Sequence, residues 1–319
     1  MVDDSSIRAL EEKVAELRTM METGGVDLSE EIALLEKKLF RLRREQYAHM
    51  SDWDRVKLAR HPERPRGLPL VEALTEDFYE LRGDRMGGDD PALRGGPALL
   101  DGRRVMLLFH HRGSTREEQH TCRFGMATPQ GYRKALRLMH IAERLHLPVV
   151  TLVDTPGAYP GLQSEEQNIA GAIAECISRT LSLNTPSVAV ILGEGGSGGA
   201  IAIAAADRVL MMENATYSVI SPEGAAAILW KDPHASSQAA QALRLTAPHL
   251  RELGFVDHII SEPVGGAHTN LQETADVLRS TLGEQLDGLT STPLDELKGL
   301  RYKRYRNAGS TRTPTDQKG

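Results

Sequence analysis

The residue types best placed to do chemistry are concentrated between Ser187 and Ala206. Ser187–Leu192 is a short, β-branched apolar run that reads as a buried strand. Gly193, Gly195, Gly196, Gly198 and Gly199 follow, with Ser197 among them, and an Ala/Ile run then reads as a tightly packed helix. A strand that enters a helix through glycines leaves backbone N–H groups free at the helix start, where the helix dipole also favours negative charge. With no Cβ in the way, an anion or a developing oxyanion can come close to that backbone.

The local pattern admits several chemistries. Gly193, Gly195 and Gly198 match the dinucleotide fingerprint G-x-G-x-x-G, with Glu213 placed downstream where a ribose-binding acid would sit. Gly195, Ser197 and Gly199 match the nucleophile elbow G-x-S-x-G of a serine hydrolase. In a third reading the amides form an oxyanion hole and Ser197 is only a small spacer. In the plainest reading the glycines serve close helix–strand packing alone. Two wider features bear on the choice. The fingerprint should open the first strand–helix unit, yet a complete unit precedes it. Asp257 and His258 have the right order for a hydrolase, but as neighbours in a predicted strand they point to opposite faces.

A second candidate lies at Asp154–Gly161, where two Pro-Gly steps follow the buried run Pro148–Val153. Ligands in α/β sheets collect at such strand ends, and this loop is too stiff and long for a plain connection. His110 and His111 are adjacent on a strand and so face opposite ways, which makes a metal site improbable and points to solvent or ligand contact at the strand end. Arg64 and Arg66, in the Pro-rich linker His61–Pro69, either meet phosphate or only keep the linker solvated.

The elements that must position these residues follow from periodicity. Ile7, Leu10, Val14, Leu17 and Met21, then Leu28, Ile32, Leu35, Leu39 and Leu42, form two apolar helical stripes either side of Gly24-Gly25. They predict an antiparallel hairpin, read as a docking arm for a partner chain, and Ser51 caps a further helix. Helices are predicted over Val71–Leu81, Pro129–Leu147, Gln163–Leu183, residues 234–253 and residues 270–307, and one starts at Pro222. Asp101-Gly102 predicts a type I′ turn between two strands within Ala98–Phe109. Arg208–Met212, Thr216–Ile220 and Phe255–Ile260 complete the strands. This alternation predicts an α/β fold with a mostly parallel sheet. The tail from Ala308 is polar and is expected to be disordered.

With 319 residues, 40% apolar and 26% charged, the chain has the makings of an ordinary globular enzyme. A net charge of −6 argues against bulk nucleic-acid binding. Only Cys122 and Cys176 occur, so a four-cysteine zinc site cannot form within this chain. No signal peptide or spanning segment is evident, which makes the cytoplasm the expected location.

Six blocks taken together carry a resemblance: Gly83-Asp84-Arg85, Phe124-Gly125-Met126, Gly131–Met139, Asp154–Gly161, Gly193–Ala200 and Tyr217–Gly224. In this order they resemble the α subunit of bacterial acetyl-CoA carboxylase carboxyltransferase, and the likeness runs from the N-terminal hairpin through Glu262–His268 to Arg301-Tyr302. Arg112–Glu117 and Asn168–Gly171 depart from that family's usual wording. The resemblance implies a crotonase-like ββα spiral core with an N-terminal helical hairpin and C-terminal helices. It implies an assembly arm over residues 1–60, a catalytic core over 61–262, a helical extension over 263–307 and a tail over 308–319.

It also implies transfer of a carboxyl group to acetyl-CoA, giving malonyl-CoA for fatty acid synthesis. The donor is carboxybiotin on a separate biotin carrier protein. The implied partner is a β subunit that carries the zinc, in an α2β2 assembly, while ATP is used by a separate biotin carboxylase. The amides of Gly198 and Gly199 would form the hole for the biotin ureido oxygen. Gly157, Ala158, Tyr159, Pro160 and Gly161 would line the biotin pocket with Gly195, Gly196 and Ser197. The biotin nitrogen would take the acetyl proton, so that no protein base is needed. Apart from the resemblance, the basic stretch Lys298, Arg301, Lys303, Arg304 and Arg306 either meets CoA phosphates or meets nothing.

Overall fold

The computed structural model describes residues 4–24, 27–48 and 50–309. Helices α1 (Asp4–Gly24) and α2 (Ser29–Ala48) form the predicted hairpin. Its stripes supply the buried Ile7, Val14, Ile32 and Leu39, and Arg18–Glu36 and Arg43–Glu11 pairs at 2.5 and 2.6 Å tie the helices together. Gly25, of the predicted turn, lies outside the described residues, as does the tail beyond Gly309. The Tyr47 hydroxyl donates to the Gly265 carbonyl and so links the hairpin to the body. Helix α3 (Asp52–Ala59) starts with the expected cap: Ser51 accepts from the Asp54 amide, and Asp54 returns the bond.

Helix α4 spans Gly67–Leu74, earlier than the predicted Val71–Leu81. Pro69 sits in its first turn, where a missing N–H costs nothing. The residues after Leu74 instead give a short edge strand, β1 (Asp77–Phe78). Strands β2 (Leu93–Leu100) and β3 (Arg103–His110) make the predicted hairpin, with Asp101 and Gly102 at φ 48° and 72° in its turn. His110 and His111 do not reach solvent: both are buried, and the Leu68 amide at the start of α4 donates to His111 at 3.3 Å.

Next come α5 (Arg116–Thr121), α6 (Pro129–Arg144), β4 (Val149–Thr155), α7 (Leu162–Glu166) and α8 (Ile169–Ser182). One helix was expected over Gln163–Leu183. It is broken at Asn168, whose φ of 62° is left-handed and whose side chain caps α8 by accepting from the Gly171 amide. Strand β5 (Ser187–Gly196) runs into α9 (Ser197–Ala204), followed by β6 (Arg208–Met212), β7 (Thr216–Ser218) and α10 (Pro222–Leu229). The expected helix over 234–253 is split into α11 (Ser236–Leu243) and α12 (Ala247–Glu252) by Arg244 at φ 49°. After β8 (His258–Ile260), Pro293 divides the last helical stretch into α13 (Leu271–Thr290) and α14 (Leu294–Asn307).

Among the described residues, eight strands form one sheet in the order β1-β2-β3-β4-β5-β6-β8, with β7 on β5. Pairing is antiparallel through β3 and parallel beyond it. Strands β4 and β5 are buried on both faces, which explains their unbroken apolar runs. Strand β5 changes neighbours along its length. Val188–Ile191 pair with β6, and Glu194–Gly196 pair with β7. Gly193 to Gly196 are therefore strand, not turn. Their lack of side chains admits Asp154 and Ala59 beside Gly193 and the Tyr217 ring beside Gly195. No helix among the described residues is long and apolar enough to cross a membrane.

Candidate oxyanion site

Strand β5 ends against loop 156–161, and α9 starts there. Gly196 precedes α9 and provides no side-chain cap, and Ser197 takes φ 50° to make the turn. Gly198 and Gly199 fall in the first turn of α9, whose N–H groups have no acceptor within the helix. Two free N–H groups at a helix start are suited to hold negative charge.

The loop facing them is pinned from both ends. Thr155 Oγ1 donates to the Gly157 carbonyl at 2.7 Å and accepts from the Gly157 amide at 3.1 Å. The Tyr159 amide donates to the Ala127 carbonyl at 2.9 Å, and the Arg123 guanidinium lies 5.5 Å from the Tyr159 ring centroid. Glycines let β5 and α9 touch this loop. A Cβ on Gly196 would run into the Pro156 carbonyl, and one on Gly199 would lie 2.5 Å from the Ala158 nitrogen. Gly198 differs, since its Cβ would meet only Ile173 at 3.6 Å. The structure thus brings Gly195, Gly196, Ser197, Gly198 and Gly199 together with Gly157 and Ala158. Tyr159 is drawn to Ala127 and Arg123 instead, exposed Pro160 follows, and Gly161 precedes α7 against the Tyr159 ring.

A charge lattice, not foreseen from the sequence, holds the strand ends that carry the site. Arg112 donates to Glu194 at 2.9 Å and to Asp154 at 3.3 Å. Arg60 joins Glu194 at 2.7 Å to Glu223 at 2.6 Å, and Arg66 lies 3.7 Å from Asp154. Asp154 also accepts from the Glu194 amide at 3.0 Å. Burial opposes its ionisation, but Arg112, Arg66 and this amide outweigh burial and hold its carboxyl below the usual carboxylate range. Arg64 does not solvate a linker. It is buried, 2.5 Å from Glu262, and donates to the Leu192 carbonyl at 2.8 Å. Arg60, Arg64, Arg66 and Arg112 line one cleft of about 450 Å3. The available signal was a charged Asp154 ending an apolar strand and arginines fixed by prolines.

His110 sits in this region with neither ring nitrogen partnered. Burial, against an opposing effect of Asp154, lowers its pKa from 6.5 to about 4. Above pH 6.5 neither folded nor unfolded chain binds this proton, and between 6.5 and 4 only the unfolded chain does. Stability should therefore fall across that interval, by roughly 3 kcal/mol from this group. Chemical-denaturation midpoints measured against pH should show a flatter slope there for His110→Gln. An unchanged slope would remove His110 as the cause. Asp154 and Glu262, both held below the usual range, add a further loss only at more acidic pH.

The competing chemistries do not assemble. Ser197 is exposed and makes no side-chain hydrogen bond among the described residues, Asp257 binds Arg304 and the Val209 amide, and His258 is exposed on β8. The hydrolase elbow therefore lacks its base. The dinucleotide reading fails because Gly193 and Gly195 are strand residues, and because Glu213 accepts from the Glu262 amide. In the C-terminal basic stretch Arg301 is buried and Arg304 pairs with Asp257, whereas Lys303 and Arg306 are exposed.

Comparison with known proteins agrees with this geometry. The family model "Acetyl co-enzyme A carboxylase carboxyltransferase-like" matches residues 3–309. A relative from Deinococcus radiodurans named acetyl-coenzyme A carboxylase carboxyl transferase subunit alpha is 49% identical over 305 residues, 96% of each chain. One of the same name from Thermus thermophilus is 48% identical over 311 residues, 98% of this chain and 98% of that one. Among solved structures, a chain of a Pseudomonas malonate decarboxylase hetero-dimer aligns with a TM-score of 0.60 at 20% identity, over 76% of this chain and 96% of that one. The transcarboxylase 12S core gives 0.58 at 19% identity, over 70% and 41%. These likenesses place the α/β body in the crotonase-like fold. With near-complete relatives at almost half identity, the chain belongs to the family of acetyl-CoA carboxylase carboxyltransferase α subunits.

Proposed function

We propose that the Gly198 and Gly199 amides hold the ureido oxygen of carboxybiotin while its carboxyl group passes to acetyl-CoA to form malonyl-CoA. The observation that carries this reading is the pair of first-turn amides of α9, which have no acceptor within the helix, facing a loop tied by Thr155. The donors are oriented by the fold before reaction, so each can contribute ~3 kcal/mol to stabilising developing negative charge. Gly157 to Gly161 and Gly195 to Ser197 line the biotin pocket. The open space beside Gly157, where a Cβ would meet nothing within 4 Å, leaves room for a flat ring. Carboxybiotin is a substrate here, carried in on a separate carrier protein, and it supplies the carboxyl group.

The acetyl-CoA pocket and the zinc site belong to a β subunit, with which this chain forms an α2β2 enzyme. ATP is consumed by a separate biotin carboxylase, and the assembly works in the cytoplasm. Residues 61–262 are the catalytic body, extended by helices over 263–307. Residues 1–60 are the assembly arm, since α1 and α2 bury their stripes chiefly on each other and leave Met20, Leu34 and Phe40 exposed.

Malonyl-CoA decarboxylation with free biotin, assayed with and without a zinc-ribbon β subunit, tests the reading. Activity only in the mixture is expected, and gel filtration should show weaker complex formation when residues 1–50 are removed. Ester hydrolysis by this chain alone, with no activity in the mixture, would overturn it.

A further inference from the structure

Tyr132 on α6 is fully buried, and its hydroxyl has no hydrogen-bond partner. The rest of the residue is firmly held: its carbonyl accepts from Cys176 Sγ at 3.0 Å. The hydroxyl lies 3.0 Å from where a Cβ on Gly199 would be, and the Ala158 nitrogen lies 2.5 Å from the same point. The orphan hydroxyl thus sits where α9 meets the Gly157–Ala158 peptide. The Ala158 amide also reaches no acceptor within the described chain. Burial keeps the phenol neutral, able both to donate and to accept.

A buried hydroxyl left unpaired is destabilising, and phenylalanine would fill the same space without that cost. Such a group has a physical rationale if another state of the molecule uses it. We propose that Tyr132 is a positioning residue for the oxyanion site, a role that rests on the proposed function above. When a ligand seats at α9, the Gly157–Ala158 peptide closes onto the Tyr132 hydroxyl, which accepts from the Ala158 amide. That bond sets the distance between the loop and the Gly198 and Gly199 amides. Tyr132 does not touch the substrate, and no proton is transferred. The side of Gly157 on which a Cβ would stand is open.

The test is Tyr132→Phe in the complete complex with the β subunit, assayed by biotin-dependent malonyl-CoA decarboxylation beside a thermal melt. The melting temperature should be unchanged or higher. The kcat should fall about three- to tenfold, the worth of one hydrogen bond, with KM for malonyl-CoA unchanged. An unchanged kcat would show that the hydroxyl is idle. A kcat and melting temperature that fall together would show an ordinary structural bond in the resting chain, and either result overturns the proposal. A wild-type complex that is itself inactive would instead refute the proposed function.

Discussion

Gly199→Val is expected to lower biotin-dependent turnover by at least about a hundredfold, the loss typical of a displaced oxyanion donor. The space around Gly199 dictates this outcome. A Cβ there would lie 2.5 Å from the Ala158 nitrogen and 2.6 Å from the Gly157 carbonyl carbon, both backbone atoms rather than the ends of flexible side chains. The added branch therefore pushes loop and helix apart, and the pocket loses its geometry even though the Gly199 N–H remains. The clash lies at the helix–loop contact, so some stability is lost as well, about 1–3 kcal/mol for overpacking. Gly198→Ala is the matching control for stability, because its Cβ would make ordinary contacts with Ile173 at 3.6 and 3.7 Å. Thermal melts should separate the two variants, and steady-state turnover near wild type in Gly199→Val would sink the oxyanion assignment.

What could be read from the sequence follows a physical division. Period and punctuation gave the hairpin stripes, the Asp101-Gly102 turn and the strand into α9, because each depends on residues close in the chain. The glycines at 195, 196 and 199 were singled out from the sequence, but the groups they pack against were not. The Pro156 carbonyl and the Ala158 amide arrive from another strand end, and only the fold brings them there. The same holds for Arg112, Glu194, Arg60 and Glu223, which meet across separate elements. Helix breaks at Asn168 and Arg244 were missed because a left-handed residue inside a periodic stretch leaves the apolar pattern almost unchanged. Tyr132 was legible as one apolar position on an amphipathic helix. Nothing local reveals that its hydroxyl ends unpaired beside Gly199.

Arg301→Met should produce the largest loss of stability, about 3–5 kcal/mol, or a melting-temperature drop on the order of 10 °C. The guanidinium is buried and donates to both Asp207 oxygens at 2.7 and 2.8 Å. It also donates to the carbonyls of Leu183 at 2.8 Å, Leu181 and Thr185 at 3.2 Å, and Thr180 at 3.4 Å. One side chain of α14 thus satisfies the last turn of α8 and anchors the carboxylate that accepts from the Ser187 amide and hydroxyl. Methionine would leave that carboxylate buried without its cation and several carbonyls unpaired. Lysine would restore the charge but not the planar fork, so Arg301→Lys should recover only part of the loss. Ser187 opens β5 and Gly196 closes it, a span on the order of 30 Å, so turnover measured well below the melting temperature should stay near wild type. A raised KM for CoA substrates with no change in melting temperature would contradict this account and return Arg301 to the phosphate-binding role that its place in a basic stretch first suggested.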